Sequence, residues 1–169
     1  MDILFIVLIF PAVFMIHEFE EIIFMQSWVK RAEPKITSRL PNLGSMIIRR
    51  QKALSTAGFA FIVAEEFLLV TALTIMTYFT ASYTLFMSLV LVYSLHLFVH
   101  IGQAIVLRSY IPALVTSLLT VVYGTYVIHF YISSVYFDPS AFFTNTIIVT
   151  LSAAGNLFLM HKLVLRLKL

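Results

Sequence analysis

The sequence predicts an all-α, polytopic integral membrane helix bundle with five transmembrane helices. Three observations carry that expectation. Of the 169 residues, 61% are hydrophobic and only 11% charged, more apolar surface than a soluble domain of this length can bury. Five stretches, near residues 3–28, 54–80, 83–107, 111–134 and 143–163, each reach the ~20 residues needed to cross the hydrocarbon. The alternating pattern of an outer-membrane barrel is absent, so the spans are helices.

The elements follow in order. Span one starts after Met1-Asp2, which lacks the basic n-region of a cleavable signal and leads into an apolar run too long for an h-region, so the helix is expected to be retained. Pro11 lies within it and is expected to kink it. Residues 29–52 form the one long connection. Pro34, Pro41 and Gly44 predict a broken helix or turn there, and LGSMIIRRQK reads either as a short basic helix on the membrane surface or as a plain loop. Spans two and three join at a tight turn around Ala81-Ser82, and Asp138-Pro139 turns the chain before span five. Trp28 and Tyr110 suit one interface; Tyr78, Tyr83, Tyr136 and Phe137 suit the other. With short connections elsewhere, a single transmembrane domain, residues 1–169, is expected.

Charge sets the expected orientation. Lys30, Arg31, Lys35, Arg39, Arg49, Arg50 and Lys52 lie between spans one and two, Arg108 between three and four, and Lys162, Arg166 and Lys168 at the chain end. Five spans place all of them on one side. The positive-inside rule then gives an outside N-terminus and a cytoplasmic C-terminus. These are loop charges, so no nucleic-acid role is expected. Zero cysteines exclude a disulfide framework and a thiolate metal site.

The functional signal is ionisable groups where lipid should be. His17, Glu18, Glu20 and Glu21 sit in span one, Glu65 and Glu66 in span two, and His96 and His100 in span three. Each costs ~2.5–3.5 kcal/mol at membrane depth and marks function by default. No lysine or arginine lies at that depth to pair with them. At ~100° per residue, His17, Glu20 and Glu21 share one helix face, as do His96 and His100 with Tyr93 and Gln103. Glu18 lies further round. Counting ~1.5 Å per residue from the nearest basic residue puts Glu21 ~14 Å and His17 ~20 Å deep, Glu65 ~20 Å, and His100 and His96 ~12 and ~18 Å. All three helices deliver their groups to one level of the bilayer.

Imidazole with carboxylate, and no thiolate, fits a divalent metal, zinc or iron foremost, as one ion or two. The expected metal ligands are His17, Glu20, Glu21, Glu65, Glu66, His96 and His100. Glu21 and Glu66 are the expected catalytic carboxylates. Tyr93, Gln103, Tyr123 and Asn156 are candidates for orienting the ligands from a second layer. His129 and His161 read as peripheral.

The HEFEE run at residues 17–21 resembles the HXXEE-motif family of small polytopic bacterial membrane proteins, with His17, Glu20 and Glu21 matching the signature. That resemblance implies a bacterial cytoplasmic-membrane protein and no particular activity. A fainter similarity is to intramembrane CAAX-type proteases, which also combine a Glu-Glu pair with histidines on separate spans. Both glutamate pairs here lack the arginine expected four residues after the second glutamate.

Three expectations stand together. The first is a metal-dependent membrane enzyme, a hydrolase of a lipid-like or lipid-attached substrate, with iron-dependent oxidation using the same ligands as its variant. The second is transport or sensing of metal ions or protons, although no inverted repeat is evident. The third is a structural cluster of hydrogen-bonded, protonated carboxylates in a small scaffold.

Overall fold

The computed structural model describes residues 3–167 and 169; Met1, Asp2 and Lys168, part of the charge and signal readings, lie outside them. The described residues form six helices: α1 (Ile3–Arg39), α2 (Pro41–Ala53), α3 (Thr56–Thr80), α4 (Tyr83–Leu107), α5 (Leu114–Ile132) and α6 (Pro139–Leu167). All but α2 are long and apolar enough to cross a membrane. The chain is therefore an all-α membrane protein with five candidate spans.

The break expected in residues 29–52 occurs, at Leu40 beside Pro41. α1 runs unbroken through Pro11 and Pro34 to Arg39, because packing outweighs the lost hydrogen bonds. Val29 and Ile36 are buried with Ala104, Leu107 and Ile111 of the α4–α5 region. The chain turns instead at Leu40, and Pro41 opens α2 at a position where its missing N–H costs nothing. α2 folds back on α1 through Gly44, where a Cβ would meet the Ile36 carbonyl at 2.7 Å.

The remaining boundaries have local causes. Ser55 caps α3 by accepting from the Gly58 amide at 2.9 Å. Ala81 ends α3 in the left-handed region (φ 54°). Asp138 accepts from the Ala141 amide at 3.0 Å at the head of α6. α5 begins only at Leu114, three residues later than the apolar run predicts, after Ile111 and Pro112 have turned the chain.

Around the bundle, α1 packs on α3, α3 on α6, α6 on α4 and α4 on α1; α5 lies outside this ring against α4 and α1. α4 and α5 approach closely where Gly124 faces Ser94, since a Cβ on Gly124 would overlap the Ser94 hydroxyl. One end of the bundle is held by basic side chains on the carbonyls that end α4: Arg39 to Val106 (2.7 Å) and Lys35 to Arg108 (3.0 Å), with the Trp28 indole donating to Tyr110 (2.8 Å). The opposite end is filled by aromatic rings, among them the fully buried Phe10, Phe86 and Tyr131. Inside the ring lies a cavity of about 1150 Å³.

Candidate metal centre

α1 and α4 run side by side, and their turns bring four side chains to one point. His17, Glu21, His96 and His100 each offer a ligand atom, all within 4.8 Å of one another. His100 Nε2 lies 2.9 Å from Glu21 Oε1 and 2.9 Å from His96 Nε2. The His17 ring stands edge-on to both imidazoles, with centroids 5.4 Å from His96 and 5.2 Å from His100. His17, Glu21 and His100 are buried. His96 is enclosed by the bundle yet accessible, because it projects into the cavity.

Glu20 does something else. The residue before α5 is Ala113, which has no side chain to cap a helix. The first amides of α5 therefore need an acceptor from another element. Glu20 supplies it: Oε2 accepts from the Thr116 amide (2.7 Å) and the Thr116 hydroxyl (2.6 Å), and Oε1 from the Val115 amide (3.4 Å) and the Tyr110 phenol (2.7 Å). A carboxylate at a helix N-terminus is favoured by the helix dipole as well. Desolvation, then the Glu20 bond, hold the Tyr110 phenol above its ordinary pKa, so it stays a donor.

This cap reaches the cluster through one hydroxyl. Thr116 Oγ1 has a single proton, and the 2.6 Å bond to Glu20 takes it. The His17 Nδ1 at 3.4 Å then carries the N–H and donates to Thr116. That tautomer leaves the His17 Nε2 lone pair free, and this atom is buried without a hydrogen-bond partner. An orphaned imidazole nitrogen beside a carboxylate and two more imidazoles fits a divalent cation by position and by donor type.

The other expected residues fall into three places. Glu66 lines the cavity with Glu21, and so does Glu18, which is nine-tenths buried. Glu65 turns towards α6 and accepts from the Asn156 amide at 2.8 Å. Tyr93 lines the cavity and packs edge-on to His17, its hydroxyl donating to Thr120 (3.1 Å). Gln103 lines the cavity one turn from His100. Tyr123 stands apart from the cluster, donating to the Ile6 carbonyl at 2.7 Å near the turn that Pro11 interrupts. His161 lines the basic end of the cavity, and His129 lies with Val122 and Tyr126 on a surface hollow of α5. Among the described residues the Lys–Glu ion pair, Lys52 with Glu33, sits at the basic end and leaves the cluster without a basic partner.

Thr116 and Tyr110 are the functional residues that helical spacing does not reveal. The available signal was negative: the segment YIPALVT starts a helix without a Ser, Thr, Asp or Asn at the cap.

Fold and site together define a small polytopic membrane helix bundle with a His/Glu cluster at membrane depth. Residues 8–128 match the family described as protein of unknown function with HXXEE motif, and the chain belongs to it. The match takes in all four cluster residues and Thr116, and ends before α6. No curated protein and no solved structure matches the chain.

Proposed function

We propose that this protein is a membrane-embedded, metal-dependent hydrolase acting on a lipid or lipid-attached substrate in the cytoplasmic membrane. One observation carries the reading. A His₃Glu cluster with an orphaned imidazole nitrogen sits on the wall of a large, mainly apolar cavity that also holds the carboxylates of Glu18 and Glu66. His17, Glu21, His96 and His100 hold the ion, of zinc or iron type. Such an ion supplies Lewis acidity towards a carbonyl and acidifies water. Glu66, in the cavity but outside the four ligands, takes the proton of the attacking water as general base. Glu18, on the same cavity wall as Glu21 and Glu66, is a further carboxyl for a second cation. The clustering of lysine and arginine at one end supports a cytoplasmic-half position for the cluster. Ion transport fits less well, because the cavity beyond the cluster is lined by apolar side chains.

The test is elemental analysis of the protein in phosphatidylcholine nanodiscs, with fatty-acid release from a total lipid extract read by mass spectrometry. About one equivalent of metal is expected, lost in His17→Ala and His96→Ala. Glu66→Gln should keep the metal and lose the release. Metal-free protein with an intact fold would overturn the reading.

A further inference from the structure

The cavity does not end at the cluster. α4 lines it from Leu85 to Leu107, with His96 and His100 in between. The stretch from His96 to Leu85 is eleven residues, about 16 Å of helix. Facing it are Phe10 and Phe14 of α1, Leu69 and Val70 of α3, and Ile148 and Val149 of α6. Among the described residues no carboxylate, imidazole or basic side chain lines this arm; its polar groups are the hydroxyls of Tyr93, Thr150 and Ser152. Beyond it lie the buried rings of Phe86, Tyr131 and Phe142, with Phe86 edge-on to Phe10 at 5.5 Å and Tyr131 5.5 Å from Phe142.

The opposite arm is different in kind. It runs past Trp28, Gln103 and Gln51 to His161, towards the end that carries every described lysine and arginine and, among acidic residues, only Glu33. An anionic group is attracted to such an end by its summed field.

We propose that the apolar arm receives one acyl chain of an anionic membrane lipid and measures its length. The carboxyl carbon lies at the His/Glu cluster and the headgroup points to the basic end. This deepens the hydrolase reading and rests on it for what happens at the cluster. The chain-binding claim itself rests on the arm. With carbon–carbon bonds of about 1.5 Å in zigzag, 16 Å accommodates roughly a dozen carbons. Each methylene taken from water gains about fourfold in the arm and in the bilayer alike; past the aromatic end further methylenes find no room in the arm, and the bilayer wins.

Neutral 1-alkanols test the arm without depending on the metal. Radiolabelled chains from octanol to octadecanol are titrated onto nanodisc-embedded protein, with empty nanodiscs as the partition control. The ratio of protein-bound to bilayer-partitioned alkanol should hold level up to roughly a dozen carbons and fall beyond, because arm and bilayer gain equally per methylene until the arm is full. Leu89→Phe and, on the looser α6, Val149→Phe should move that limit to shorter chains. Leu95→Phe, on the lipid-facing side of α4, should leave it in place. A ratio that stays level to octadecanol, or a limit that neither arm substitution moves, overturns the proposal. Metal content is measured on the same samples. A chain-length limit in metal-free protein would sink the hydrolase reading and keep the arm; bound metal with no limit would do the reverse.

Discussion

Glu20 and Glu21 are neighbours in sequence and occupy opposite chemical worlds. Glu20 faces the α1–α5 interface, where four donors from Tyr110, Val115 and Thr116 satisfy both its oxygens. Glu21 faces the ring's interior, where its nearest partner is an imidazole that also touches a second imidazole. Behind one glutamate both carboxylate oxygens are used. In front of the other, His17 Nε2 and His100 Nδ1 are buried without partners. Buried polar groups are normally paired, so the saturated side reads as architecture and the unsaturated side as a place for a ligand.

The sharpest way to break this comparison is to remove each carboxylate. Glu20→Ala leaves buried α5 donors unpaired and should cost about 2–5 kcal/mol in unfolding free energy. Glu21→Ala, which removes negative charge from a crowded cluster, should leave stability unchanged or higher while abolishing metal binding. Reversible unfolding in mixed micelles reads the first effect and elemental analysis the second. Equal destabilisation by both variants would erase the distinction.

Thr116 joins the two sides, so its replacement should register on both. Thr116→Val is expected to cost about 1.5–3 kcal/mol, since a charged acceptor and the His17 N–H both lose a partner. It should also weaken metal affinity about 10–100-fold. Thr116→Ser keeps the hydroxyl and should restore affinity. A valine variant that binds metal normally would show that the His17 tautomer is set elsewhere. The smallest effect belongs to Tyr110→Phe, one bond among four on Glu20, at about 0.5–1.5 kcal/mol by the same unfolding measurement and with metal content unchanged.

Much of the fold can be read from the residues. The five apolar runs appear as five helices, and the four-residue spacing of His17 with Glu21 and of His96 with His100 places them on facing surfaces. What spacing cannot supply is which neighbour each face meets. Glu20 and Glu21 are about 100° apart on α1, enough for one to reach α5 and the other the cavity, and only the packing of α1 decides which. Glu65 and Glu66 divide in the same way, one bonded to Asn156 on α6 and one lining the cavity. Pro34, Pro41 and Gly44 together announce a break, and packing decides which proline marks it: the burial of Val29 and Ile36 against the end of α4 carries α1 past Pro34 to Arg39.

The ring of helices is unevenly thick. α5 doubles the wall behind α4, and α2 covers the lower part of α1. α6 has nothing behind it: Phe143, Ile147, Leu151 and Leu159 are exposed on its outer surface, while Val149 and Asn156 border the cavity. This helix is held at one end by the Ser88 bond to the Phe142 carbonyl, midway by Asn156 on Glu65 and at the other end by Val164 against Gly58. Along α6, outward positions answer to the bilayer and inward ones to the occupant, so a scan of this one helix reports on both environments.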